Sequence, residues 1–280
     1  MWADAFGLKM SQEMSIKKQN RDGRAFQAKQ SGPIEILGLK VQSHSREELN
    51  EAIGRIVQAE GHIVIPNINI QFANLAQRLP WLREFFNSAP LNFCDGVGIQ
   101  LAARLLGCRV PERFTFPDWF DSLAEYCRAR GISFYFLGGR PGIAAAASSK
   151  LVNCYPGLVI AGVHHGYFDK KQQGPENAEV IAAVNRCRPG ILLVAFGMPL
   201  QEEWLAQNWD YIDARVALTG GAVFDYISGR VRRPPAWLRR CGCEWLGRLL
   251  IEPRRLWKRY LVGNPLFLAR VLRQRLERTK

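Results

Sequence analysis

A chain of 280 residues, 48% hydrophobic and 22% charged, can bury one large core, or one core with an appendage. Its composition excludes a disordered or low-complexity polypeptide. No apolar run is long enough to span a bilayer, and seven scattered cysteines without a CxxC pair exclude a disulfide framework or a zinc-finger frame. The net charge is +13, and Arg230–Lys280 alone carries fifteen Lys and Arg against three acids, so the first 229 residues are nearly neutral and the C-terminal end is strongly cationic. A segment of that kind seeks phosphates, whether on nucleic acid, on lipid head groups or in a pyrophosphate.

Residues 1–32 read as a polar leader without the apolar centre of a signal peptide, so a cytosolic compartment is expected. Ile34–Val41 reads as one strand. Ser45 with Glu48 forms a capping box ahead of a helix carrying Leu49, Ile53 and Ile56. His62–Pro66 is a buried strand leading through Asn67-Ile68-Asn69 into a helix, and Pro80 opens another.

The central stretch is Leu91–Gly107, LNFCDGVGIQLAARLLG: a short apolar run, then Asp95-Gly96, then a helix. On spacing alone Asp95 is a helix N-cap. It also stands where open α/β sheets place their chemistry, just past the carboxyl ends of the strands. Arg113 and Asp118 fall in a following loop, and a helix is expected over Phe120–Arg130.

Strand, glycine turn and helix then recur. The strands are Ser133–Leu137, Leu158–Val163, Ile191–Phe196 and Val216–Thr219, and the turns include Gly138-Gly139, Gly197-Met198-Pro199 and Gly220-Gly221. Alternation of this kind predicts an α/β fold with a mostly parallel, Rossmann-like sheet and helices on both faces, over residues 33–229. Glycine turns let backbone amides close on phosphates. Neither a GxGxxG fingerprint nor a P-loop is present. From Arg230 the pattern becomes Trp, Leu and Arg on short amphipathic helices broken by Pro234, Pro253 and Pro265, a composition suited to a membrane interface. Residues 230–280 are therefore expected to form a basic amphipathic helical appendage that holds membrane and acceptor.

Seven short motifs occur in order: Asp95-Gly96 before a helix; Glu112-Arg113; Gly197, Pro199, Gln201 and Glu202; Gly220-Gly221 with Phe224-Asp225; Arg233, Pro235 and Trp237; Glu244-Trp245 with Arg248; and Glu252-Pro253 with Arg255. The series resembles the WecG/TagA/CpsF family of bacterial glycosyltransferases over about residues 35–262. The resemblance implies a metal-independent, inverting transfer of a sugar, without a cofactor, from a UDP-sugar to a lipid-linked saccharide. The product would be a teichoic acid, common antigen or exopolysaccharide, made at the cytoplasmic face of the bacterial inner membrane by a peripheral enzyme. It makes Asp95 the general base and assigns Asn67, Arg113 and Gln201 to the donor pocket. Asp118, Gly138, Gly197, Glu202, Gly220, Gly221 and Asp225 are the further substrate-binding candidates. Arg233, Arg248, Arg255 and Arg259 would meet the acceptor pyrophosphate and an anionic membrane surface.

The chain departs from the family pattern at Ile65, where many members have Thr, and at Phe116-Pro117-Asp118, where many have Gly-x-Asp. Both places are expected to border the sugar pocket. Each candidate also has a plain structural reading: Gln201-Glu202 as a polar first helical turn, Asp225 as a partner of Arg233, and Glu244 and Glu252 as internal partners of arginines. A nucleic-acid-binding protein lacks a reader motif here, and an NAD-dependent nucleotide-sugar enzyme lacks its fingerprint. No nucleic-acid partner is expected, and the oligomeric state, including a homo-oligomer, is left open.

Overall fold

The computed structural model describes residues 32–108 and 115–278. The chain starts with an antiparallel hairpin, β1 (Ile34–Ile36) and β2 (Leu39–Val41), where one strand was expected. Leu37 and Gly38 both take positive φ (52° and 77°), the conformation that two-residue hairpin turns require. Helix α1 (Arg46–Gln58) starts at the predicted box: the Ser45 hydroxyl accepts from Glu48 N at 3.1 Å, and the Glu48 carboxylate accepts from Ser45 N at 2.8 Å.

Next come β3 (Ile63–Ile65), β4 (Asn67–Ile68), α2 (Ile70–Ala76), α3 (Pro80–Ser88), β5 (Phe93–Cys94), α4 (Val97–Leu105) and α5 (Phe116–Arg130). Helix α5 starts four residues earlier than expected, because Pro117 suits a first helical turn; Asp118 is thus helical rather than in a loop. The regular part continues with β6 (Phe134–Gly138), α6 (Ile143–Cys154), β7 (Ile160–His164), α7 (Pro175–Cys187), β8 (Ile191–Ala195), α8 (Leu200–Asn208), β9 (Val216–Thr219) and α9 (Val223–Ile227).

β3, β9, β8, β6 and β7 form, in that order, a five-stranded sheet that is parallel throughout. Side chains alternate across it. Ile191, Leu193 and Ala195 enter a core with α1, α5 and α6 on one face. Leu192 and Val194 enter another with α7 and α8 on the opposite face. The sheet is thus covered on both sides, as parallel sheets are.

The cationic end forms α10 (Ala236–Arg240), α11 (Glu244–Ile251), α12 (Pro253–Trp257), a π-helical turn at Lys258–Val262 and α13 (Gly263–Arg278). Pro265 does not break a helix; it sits three residues after the π-helical turn, in a helical run that continues from that turn into α13. α13 folds back on the body. Phe267 and Val271 are fully buried with Ile36, Leu39, Phe72, Phe86 and Ile99, in a third core beneath the hairpin. Among the described residues no helix is long and apolar enough to cross a membrane.

Candidate active site

Parallel strands end together, so the loops after β3, β6, β7, β8 and β9 share one edge of the sheet. They and α11–α12 enclose a cleft of about 1210 Å³. The strand-edge loops contribute Gly139, Gly166, Phe196, Gly197, Gly220 and Gly221; the appendage contributes Glu244, Trp245, Arg248, Arg255, Arg259 and Tyr260; Asp95 lines the same cleft.

Asp95 follows β5, which pairs in parallel with β4 in a two-stranded extension rather than in the main sheet. It does not cap α4. Gly96 is the N-cap, at φ 88° and without a side-chain bond, and only glycine adopts that geometry without strain. The carboxylate points instead into the cleft wall: Oδ1 accepts from Phe116 N at 3.1 Å, and Oδ2 from Asn67 Nδ2 at 3.3 Å. Asn67 is held in turn by Thr219, whose hydroxyl donates to Asn67 Oδ1 at 3.1 Å and accepts from Asn67 N at 3.0 Å. Burial raises the Asp95 pKa above the ordinary carboxylate value, against the opposing effects of the Phe116 N–H, the Asn69 side chain, Arg248 and Arg259. A carboxyl raised in this way binds a proton more readily than a solvated one.

The expected substrate residues separate into two groups. Asn67, Gly197, Gly220, Gly221, Asp225, Arg248, Arg255 and Arg259 line the cleft. Gly138, Asp118, Gln201, Glu202 and Arg233 do not. Gly138 is packed so closely against β8 that a Cβ would meet Ala195 O at 2.4 Å. Gln201 and Glu202 are fully buried. Gln201 Oε1 accepts from Gly197 N at 3.2 Å and from Gly221 N at 3.1 Å, while its Nε2 donates to Glu202 Oε1 at 2.7 Å. The motif therefore staples two turns from below.

This arrangement also corrects the expectation that glycine amides grip phosphates here. The N–H groups of Gly197 and Gly221 are occupied by Gln201, that of Gly139 by Ala195 O, and that of Gly220 by Val194 O. These four amides are thus not free for a ligand.

Asp118 and Arg233 fasten the appendage to α5. Arg233 Nη1 lies 2.7 Å from Asp118 Oδ1, and Arg239 Nη1 is 3.4 Å from the same oxygen. Burial works against the Asp118 charge, but the Arg233 hydrogen bond and charge hold its pKa below the ordinary value. Asp225 pairs with Arg230 at 3.2 Å, not with Arg233. Ile65 is fully buried in β3 and faces the core, so the Thr-to-Ile departure does not touch the cleft. At the other departure Phe116 serves Asp95 through its backbone N–H. Arg113 lies outside the described residues.

Three cleft residues had escaped the sequence reading. Asn69 caps α2, with its Oδ1 accepting from Phe72 N at 3.0 Å, while also facing Asp95; the Asn67-Ile68-Asn69 alternation was its visible signal. Lys170 sits on a motif-free loop, its ammonium donating to Gly166 O and to Phe168 O and lying 4.2 Å and 4.6 Å from the Phe168 and Phe196 ring centres. Burial lowers its pKa. Tyr226, on α9, is the third: its ring lies under the Arg248 guanidinium at 5.3 Å.

The sequence model of the glycosyl transferase WecG/TagA/CpsF family matches residues 34–280. The chain belongs to that family. It is 28% identical over 211 residues to the N-acetylglucosaminyldiphosphoundecaprenol N-acetyl-β-D-mannosaminyltransferase of Bacillus subtilis strain 168, covering 75% of this chain and 79% of that protein. The protein of the same name from Bacillus spizizenii is 31% identical over 211 residues, covering 75% and 78%. The one from Staphylococcus aureus MRSA252 is 24% identical over 240 residues, covering 85% and 91%. This chain is a glycosyltransferase of that family, with a Rossmann-like parallel sheet.

Proposed function

We propose that the enzyme moves a sugar, with inversion, from a UDP-sugar to a saccharide carried on a polyprenyl diphosphate, in the assembly of a bacterial cell-surface polysaccharide. The supporting observation is the placement of Asp95. Its proton affinity is raised by burial, and it lines a cleft that Arg248 and Arg259 also line. Among the described residues neither arginine forms a salt bridge, and Arg248 Nε has no hydrogen-bond partner. Cations held by aromatic rings rather than by a salt bridge, beside a base, suit a diphosphate ligand.

In this mechanism Asp95 takes the proton of the acceptor hydroxyl. The oxygen attacks the anomeric carbon as the bond to the diphosphate breaks on the opposite face, and UDP leaves. Lys170 on the strand side and the arginines on the appendage side supply positive charge, so the chain's own residues can offset the diphosphate charge without a bound metal or cofactor. Exposed Trp237, Leu250, Trp257, Leu261 and Val262 lie among basic residues on the appendage. They would rest on the anionic cytoplasmic face of the inner membrane, where the lipid acceptor resides.

The test is incubation with a panel of UDP-sugars and a short-chain polyprenyl diphosphate bearing N-acetylglucosamine, with the product identified by mass. A disaccharide-diphosphate lipid and free UDP are expected from one donor. Absence of transfer from every donor would refute the reading.

A further inference from the structure

Four of the buried side-chain atoms that lack a hydrogen-bond partner gather where the appendage meets the body: Tyr226 Oη, Arg233 Nε, Glu244 Oε2 and Arg248 Nε. Three of their residues, Tyr226, Glu244 and Arg248, line the cleft beside Asp95. Leaving such groups unmatched is costly, and a cluster of them in one cleft points to a polar ligand that is not part of the chain.

The chemistry of the set narrows the ligand. Glu244 is held only loosely by Arg233, at 3.7 Å. Burial raises its pKa against the Arg233 charge, and the nearby Asp95 carboxylate raises it further. Glu244, with Asp95 near it, adds negative charge that disfavours a phosphate at that point but accepts hydrogen bonds from hydroxyl groups. Tyr226 can donate or accept, and burial pushes its pKa up to about 12, so the phenol keeps its proton. Trp245 adds an aromatic face at the same place, its ring 6.0 Å from that of Tyr260. Acceptors, a neutral hydroxyl and an aromatic face together match an uncharged polyhydroxylated ring, while Arg248 and Arg259 remain for the diphosphate of the donor.

We infer that Glu244 and Tyr226 form the subsite that binds the acceptor's sugar ring, with the Glu244 carboxylate accepting from one of its hydroxyls. This rests on the proposed transfer to a lipid-linked saccharide and adds which residues read the sugar. In this structure the Glu244 Oε2 and Tyr226 Oη atoms are covered, so occupation requires a small outward movement of α11. Gly242, two residues before that helix at φ 82°, holds a conformation that a β-carbon would strain.

The experiment compares wild type with Glu244→Ala, Glu244→Gln and Tyr226→Phe, using the N-acetylglucosamine diphosphate lipid and a set of its monodeoxy analogues. Donor KM, acceptor kcat/KM and affinity for the sugar-free polyprenyl diphosphate are read for each. Glu244→Ala should lower acceptor kcat/KM by about tenfold or more, the scale of a lost hydrogen bond to a charged group. Donor KM and sugar-free lipid binding should stay at wild-type values. Glu244→Gln, which keeps an acceptor oxygen, should fall between. One monodeoxy analogue should be poor with wild type and lose nothing further with Glu244→Ala, as expected when both changes remove the same contact.

The inference is overturned if Glu244→Ala weakens every acceptor and the sugar-free lipid equally, which would mark a purely structural link to Arg233. It is also overturned if all three variants match wild type. A wild type that transfers to no saccharide-linked acceptor removes the functional reading, and this subsite with it. An active wild type indifferent to Glu244 and Tyr226 removes the subsite alone.

Discussion

Replacing Asp95 with Asn tests the proposed base and its surroundings together. Removing a positioned base should lower kcat/KM by ~10²–10⁴, about 3–5 kcal/mol of barrier. The variant should not be neutral for folding. Both carboxylate oxygens accept from N–H groups, of Phe116 and Asn67, whereas an Asn amide has one acceptor oxygen. Whichever way it turns, its NH2 meets a donor, at a cost of about 1–3 kcal/mol.

The pH dependence opposes that loss. Because the folded pKa of Asp95 lies above the ordinary value of 3.8, its protonated form favours the native state. That stability is complete below the ordinary value and is lost as pH rises through the folded one. The variant has no such loss, so its deficit in melting temperature should be largest in acid and shrink towards neutrality. Wild-type transfer should rise with pH above the normal carboxylate range, as Asp95 ionises. Thermal melts from pH 4 to 8 and pH–rate profiles measure both. More than one tenth of wild-type activity in the variant, or a melting difference that grows with pH, would refute the reasoning.

Gly138→Ala should destabilise the sheet by at least about 2 kcal/mol, because its Cβ would press on the Ala195 carbonyl; urea denaturation checks this. Glu202 has a folded pKa of about 7 against an ordinary 4.5, a difference worth at most roughly 3 kcal/mol. Its contribution is present below pH 4.5 and lost as pH rises through about 7, so Glu202→Gln should flatten that decline in melts taken over the same window. Leu250→Glu with Leu261→Glu, at positions 72% and 55% exposed, should leave the fold intact and weaken sedimentation with anionic vesicles at least tenfold, as adding two negative charges to a basic apolar surface requires. Removing residues after Gly229 is a poorer test of membrane binding, because it strips Phe267 and Val271 from the core under the hairpin. That truncated chain should melt early or aggregate, which light scattering would report.

The parallel sheet was legible because every strand is a short apolar run closed by glycine or asparagine, and the capping box at Ser45 was read to the residue. The hairpin was not: Leu37 occupies a left-handed position that carries no turn signal in its side chain. The Gly197–Glu202 motif was visible, but its direction was not, since nothing in the spacing tells a ligand-facing amide from one that ties Gly197 to Gly221 below the surface. Asn69 was hidden by its second role as a helix cap. Arginines in the last fifty residues looked alike in sequence. The fold separates Arg233, committed to Asp118, from Arg248 and Arg259, which face the cleft. Phe267 and Val271 lacked a recognisable partner because their contacts, from Ile36 to Ile99, lie far away in the first part of the sequence.

α13 also fastens itself to the β1–β2 hairpin and to α2. Gln274 receives the Leu37 N–H at 2.9 Å and donates to Glu35 O at 3.1 Å, and Arg270 donates to Asn74 at 2.9 Å. With Arg233 tied to Asp118 at the other end, the stretch bearing Glu244, Arg248 and Arg259 is a strap buckled on both sides of the cleft, not a loose arm. A substrate arriving there meets charges already in place, and beyond the small shift of α11 little chain entropy is lost in seating it.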